Sequence, residues 1–116
     1  MTYNSVHEIF VILSGEESVD YRPIIELAID EVERMLLPDA DDTDSRLNYL
    51  AGSLANYRYH QAICSRENSA VTYAGQMKKT QADASISYAE KLFHDYMRLC
   101  KDLVKYDDFI FISCPE

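Results

Sequence analysis

The sequence predicts a mainly α domain: a small bundle of three to four helices, with a β-hairpin or long loop between the last two long helices and a short extended C-terminal tail. Three observations predict it. Apolar residues recur at helical spacing over three long stretches, Gly15 and Pro38 punctuate the first half, and periodicity fails only over residues 68–87 and in the tail. At 116 residues the chain is one domain, 1–116, large enough for its own core and too short for two.

Residues 5–13 are ambiguous, since IFVIL has strand composition while Val6, Ile9, Phe10 and Leu13 make one helical face. A short helix closed by Gly15, a natural left-handed C-terminal residue, is preferred. The second helix is expected over 20–37, with Asp20 as N-cap, Pro23 in the tolerant first turn and Pro38 as stop. Ile25, Ala28, Ile29, Val32, Met35 and Leu36 form its packing stripe, and Glu26, Asp30, Glu33 and Arg34 fall off it.

Residues 38–44 read as a polar turn ending in the N-cap candidates Asp42 and Thr43. Its acids do not make a calcium loop, because an EF-hand beginning at Asp39 needs Gly and Glu where this chain has Asp44 and Leu50. A long helix follows over 45–66. Leu47, Leu50, Ala51, Leu54, Ala55, Ala62 and Ile63 supply its buried side, and Ala51, Gly52, Ser53 and Ala55 are small enough to admit a neighbouring helix. Gly52 costs about 1 kcal/mol of helix propensity relative to Ala, which calls for a packing reason. Tyr57, Tyr59 and His60 are expected to bring aromatic surface to the far end.

Residues 69–73 are strand-like, Gly75 permits a turn and residues 84–87 again read as extended, so a projecting hairpin or long ordered loop is expected. A flexible linker and an early start of the last helix at Thr80, with Asp83 capping, are the alternatives. Ser87, Tyr88, Ala89 and Glu90 form a capping box for a last helix over 88–104, with Ala89, Leu92, Phe93, Tyr96, Cys100, Leu103 and Val104 on one side. The run Phe109-Ile110-Phe111-Ile112 is too apolar for water. It packs on its own domain, pairs with an edge strand or docks on another chain.

The net charge of −9 is unevenly placed. Residues 16–44 hold eleven acids against Arg22 and Arg34, while nine acids and nine Lys or Arg balance elsewhere. Tight binding to a phosphate backbone needs clustered cations, and only Lys78 and Lys79 adjoin, so a conventional DNA-binding domain is not expected. The acidic region either keeps the chain soluble, meets a basic partner or repels DNA passing nearby. No apolar run approaches the roughly 20 residues that span a bilayer, and no signal peptide is read at the start, so a cytosolic protein without membrane contact is expected. Cys64, Cys100 and Cys114 are odd in number and widely spaced, which reads as buried free thiols.

Catalytic candidates are sparse. His60 and Cys64, and Glu90 and His94, sit four apart and share helical faces, yet there is no third catalytic member, no Glu-x-x-His, no phosphate loop and no H-E-x-x-H. The chain reads as a non-enzyme with no cofactor or metal.

The combination of IIELAIDEVERML, a turn, LNYLAGSLANYRYHQA, the VTYAGQ and ASIS excursion, a terminal amphipathic helix and FIFISC resembles the head-to-tail connector, or head-completion, proteins of tailed bacteriophages and prophages. It covers most of the chain from about residue 20, through a pattern of helices and small residues instead of an invariant motif. The resemblance implies a structural subunit that forms a homo-oligomeric ring beneath the portal protein, meets tail-side connector proteins and passes DNA without binding it specifically. It implies assembly in the bacterial cytoplasm and residence in the virion neck. Contacts in such rings map onto 71–86 and 109–112, making Tyr73, Gly75, Met77, Lys78, Lys79, Phe109, Phe111 and Ile112 the partner-binding candidates. The chain departs from the family where a Gly-Asp turn is replaced by Gly75-Gln76-Met77-Lys78-Lys79. The alternative is a monomeric helical adaptor or regulator that binds one protein through its tyrosine-bearing helix and tail; a small-molecule or metal-binding bundle comes third.

Overall fold

The structure, a computed structural model, describes residues 1–16, 21–67 and 73–105, with backbone alone at 64–67 and 73–83. Four helices make up the described fold: α1 (Tyr3–Ser14), α2 (Arg22–Met35), α3 (Ser45–Glu67) and α4 (Tyr73–Leu99). The mainly α expectation holds.

Burial settles the ambiguity in the first segment. Val6, Ile9 and Phe10 are buried at helical spacing, whereas strand alternation would have placed exposed Ile12 on the same face as Phe10. Thr2 caps the helix by accepting from Ser5 N at 3.2 Å, and Gly15, at φ 78°, closes it by donating to Val11 O at 2.8 Å.

The second helix is shorter than expected. The position expected to cap it, Asp20, lies outside the described residues; Tyr21 occupies the N-cap without a side-chain bond. At the other end Leu36 turns extended at ψ 138°, because it pairs with the end of the chain's helical part. Leu37 N donates to Leu103 O at 2.9 Å, and Lys105 N donates to Met35 O at 2.8 Å. Ile25, Ala28 and Val32 are buried, with Ile24, Ile29, Met35 and Leu36 partly covered beside them.

The central element is α3, which packs against all three other helices. Leu47, Leu50, Ala51, Leu54 and Ala55 are fully buried, as expected. Its cap is Asp44, whose Oδ1 accepts from Arg46 N at 2.9 Å. Asp42 and Thr43 do not fill that role, and Thr43 instead donates to Asp41 in the preceding turn. The small residues do admit a neighbour: a Cβ on Gly52 would lie 2.5 Å from Ile9 Cγ2. Two expectations fail here. Ala62 is exposed, and Tyr57 and Tyr59 are buried instead of forming aromatic surface. Tyr59 stands edge-on to Phe10 and Tyr21, with ring centroids 5.7 and 4.9 Å away, and its hydroxyl donates to Glu16 Oε2 at 2.8 Å.

The expected hairpin is corrected. From Tyr73 onward the chain is α-helical without interruption to Leu99, so 73–87 is neither strand, loop nor linker, and the helix begins earlier even than Thr80. Ala74, Gln76, Met77, Lys78, Lys79, Gln81 and Ala82 are strong helix formers, and their summed propensity outweighs one Gly near the start. Ser87 to Glu90 is accordingly helix interior, not a cap. Residues 68–72 lie outside the described residues.

At its far end α4 tightens before Val104. Cys100 N is shared between Tyr96 O and Met97 O, Leu103 N reaches Cys100 O at 2.7 Å, and Leu103 and Val104 fold back into the core. Arg46 binds this turn to the start of α3, donating to Leu99 O at 2.8 Å and to both carboxylate oxygens of Asp102. With Arg46 beside Leu99 and Tyr57 beside Phe93, α3 and α4 run antiparallel.

Candidate interaction surfaces

The core faces of the helices are consumed by packing, so chemistry available to another molecule lies on their outer flanks. Among the described residues, five large apolar side chains are displayed there: Ile12 at 78% exposure, Tyr88 at 76%, Leu27 at 63%, Leu99 at 58% and Tyr49 at 47%. Scattered singly, such residues would be ordinary surface. On α4 they are not scattered.

Tyr88, Leu92 and Leu99 follow one another at spacings of four and seven, which puts them on one flank of α4, so Leu92, expected on the packing side, is only partly buried. Tyr96, one step toward the core, stacks on Tyr49 of α3 with centroids 5.8 Å apart and planes 27° from parallel. The result is an apolar strip about 16 Å long from Tyr88 to Leu99, at 1.5 Å per helical residue. Beside it Ser87, Glu90, Lys91, His94, Asp95 and Arg98 line a shallow hollow of about 410 Å³. Arg98 bonds Asp95 there. This pattern of apolar strip and charged border resembles the anatomy of a protein interface more than that of a small-molecule pocket.

A smaller apolar exposure lies on α1, where His7, Glu8, Val11 and Ile12 surround a hollow of about 470 Å³. On α2 the acids are partly compensated. Arg22 pairs with Glu26 and Arg34 with Asp30, each at 2.8 Å, and Glu31 is held by Arg58 of α3 at 2.8 Å. Glu33, Asp39, Asp41 and Asp42 remain exposed.

The partner-binding candidates named from sequence fall in two places. Tyr73, Gly75, Met77, Lys78 and Lys79 are brought together on the first two turns of α4, at the end that leads in from the α3–α4 connection. Phe109, Phe111 and Ile112 lie outside the described residues. Sequence reading missed Tyr49, Tyr88 and Leu99; the signal available was that Tyr88 and Leu99 sit off the packing stripe of a helix yet are large and apolar.

The catalytic pairs do not assemble into a site among the described residues. His60 is half-buried and edge-on to Tyr59 at 5.2 Å, and burial lowers its pKa. Glu90 and His94 approach to 3.8 Å, beyond hydrogen-bond length. Burial pushes the Cys100 thiol up to about 11, which keeps it protonated and unreactive. No group of three His, Cys, Asp or Glu among the described residues converges as a metal site, and no described helix is long and apolar enough to cross a membrane.

No protein family model, curated protein or solved structure matches this chain.

Proposed function

We propose that this chain is a structural assembly subunit of the phage or prophage head-to-tail connector type. It joins copies of itself to one another, and to portal and tail-side proteins, in a ring around a DNA channel, and catalyses no reaction. The observation that carries this reading is the apolar strip of Tyr88, Leu92 and Leu99 with the Tyr49–Tyr96 stack, mounted on a helix pair clamped by Arg46. A ring needs two different complementary patches on each subunit. The strip supplies one, and the first turns of α4, with Tyr73, Gly75, Met77, Lys78 and Lys79, supply the other from a helix instead of a hairpin.

The charge distribution favours the same role. A dense cationic lining would hold DNA by counterion release, whereas the outer acids Glu33, Asp39, Asp41 and Asp42 give a wall that lets it pass. In this reading the subunit assembles in the bacterial cytoplasm and ends in the virion neck.

The test is genetic context followed by binding. Portal and major capsid genes on one side of the reading frame, and tail genes on the other, support the connector role; a metabolic or regulatory neighbourhood overturns it. With the neighbouring portal protein in hand, co-elution on gel filtration and rings in negative-stain images are expected.

A further inference from the structure

The outer flank of α4 has a centre. Tyr88, Leu92, Asp95 and Leu99 recur at spacings of four, three and four, the spacing of a seam along which two helices pack. Tyr88 and Leu99, its two exposed ends, stand equally far from a point between Phe93 and His94. Lys91, Asp95 and Arg98 form one border of the seam. Lys91 is exposed and has no ion pair among the described residues, and Arg98 bonds only Oδ1 of Asp95.

This pattern complements itself. A second copy of the flank, laid antiparallel across a two-fold axis at that centre, sets Tyr88 of each chain level with Leu99 of the other. It also brings Lys91 within one residue, about 1.5 Å of axial rise, of Asp95 of the other copy. The two-fold keeps both charged borders on the same side. Each Asp95 is then held between Arg98 of its own chain and Lys91 of the other, which offsets the desolvation of the one carboxylate in the seam. An in-register parallel pair would instead set Lys91 against Lys91 and Asp95 against Asp95.

We propose that a second copy of this chain docks on this flank, α4 against α4, antiparallel about a two-fold between Phe93 and His94. Tyr88, Leu99 and the adjoining Tyr49 supply most of the apolar contact. A patch of that extent lies at the low end for specific interfaces, so the pair is transient, with micromolar affinity. The dimer does not rest on the connector reading. Within that reading, dimer and ring compete for one flank, so the dimer is the state of the free subunit and parts as the ring closes.

The test uses the full-length chain with Cys64 and Cys114 replaced by Ser and buried Cys100 left in place. Tyr88→Cys and Leu99→Cys are made singly. Mild oxidation of the two mixed is expected to give a covalent dimer joining position 88 to position 99. Each variant alone is expected to keep its thiol, because like positions lie about 16 Å apart along the pair. As much dimer from either variant alone, or none from the mixture, overturns the proposal. Sedimentation equilibrium gives a second reading on the unmodified chain. Lys91→Asp and Asp95→Lys are each expected to weaken self-association about tenfold, and mixing them to restore it, since the mixed pair regains both bridges. No recovery on mixing, or a wild-type chain that stays monomeric up to about 1 mM, overturns the proposal. A gene neighbourhood that removes the connector reading leaves each of these outcomes unchanged.

Discussion

Gly52 of α3 lies against Ile9 of α1 so closely that a Cβ at position 52 would stand 2.5 Å from Ile9 Cγ2 and 2.9 Å from Ile9 Cβ. Ile9 is β-branched and buried, so neither atom is the loose end of a flexible side chain. Two effects compete in Gly52→Ala. Helix propensity favours Ala by about 1 kcal/mol, and overpacking costs about 1–3 kcal/mol. Overpacking wins, because α1 is fixed by Val6 and Phe10 in the core and cannot withdraw. Urea unfolding is expected to give a net loss of about 1 kcal/mol; a gain would show that α1 and α3 do not approach this closely.

The Arg46 fork predicts a ranking. It bonds Asp44 Oδ1 and Oδ2, Asp102 Oδ1 and Oδ2 and Leu99 O, a set that needs a planar guanidinium. Arg46→Lys keeps the charge but cannot make all five contacts. Thermal melts are expected to order wild type above Arg46→Lys and that above Arg46→Ala, with the spread narrowing in high salt because the fork is partly exposed. Equal melting of the Lys variant and wild type would reduce the clamp to simple charge pairing.

The same fork sets an acid limit. Hydrogen bonds from Arg46 hold the carboxyls of Asp44 and Asp102 below the ordinary range, and those from Thr43 do the same for Asp41. A depressed folded pKa means that the stabilisation is complete above the unfolded value, about 3.9, and is lost as pH falls through the folded values. Stability is therefore expected to drop below about pH 4. In Arg46→Ala the acid drop is expected to be shallower, since Asp44 and Asp102 lose their shared partner. An unchanged acid limb in that variant would assign acid unfolding to other carboxylates.

These features were unequally legible. The stripes of α1 and α2, and the inner side of α3, follow from 3.6-residue periodicity, which reports burial directly. Residues 73–87 carry no such stripe, being largely Ala, Ser, Gln and Lys, and their helix rests on summed propensity, which outweighs the few strand-like residues. Tyr57 and Tyr59 were misplaced because their burial is decided by partners far away in sequence: Phe93 for one, Phe10, Tyr21 and Glu16 for the other. Arg46 and Asp102 are likewise joined only by the fold. The outward strip was partly readable, as Tyr88 and Leu99 are large apolar residues off a packing stripe, but Tyr49 joined it only when α3 and α4 were set side by side.

Tyr59 supplies an alkaline counterpart. Its ring is buried and its hydroxyl donates to Glu16, and burial first, then the Glu16 bond and charge, raises its pKa well above the ordinary tyrosine value. A raised folded pKa leaves the contribution intact below the unfolded value, near pH 10, and removes it as pH rises further. Wild type is expected to lose stability above about pH 10, and Tyr59→Phe to lose less. At neutral pH the Phe variant gives up one hydrogen bond, about 1 kcal/mol, whereas Tyr59→Ala also opens a cavity and is expected to cost about 3–5 kcal/mol. Identical alkaline limbs for wild type and Tyr59→Phe would place the alkaline transition on another group.

The apolar strip separates assembly from folding. Tyr88 and Leu99 project from the outer side of α4 and take no part in the buried core, so Tyr88→Glu and Leu99→Glu are each expected to change stability by no more than about 0.5 kcal/mol. At an interface the same changes bury an unpaired carboxylate against an apolar partner, which costs several times as much. The double variant is therefore expected to melt within a few degrees of wild type and, under the proposed assembly role, to lose at least about tenfold in self-association or in co-elution with a portal-type partner, equivalent to 1.4 kcal/mol. Phe93→Ala serves as the opposite control: it sits at the buried contact with Tyr57 and is expected to lower stability by about 3–5 kcal/mol. If the double variant assembles as wild type does, the strip is ordinary surface, and the contacts between subunits belong to the first turns of α4, where charge reversal at Lys78 and Lys79 is the next discriminating change.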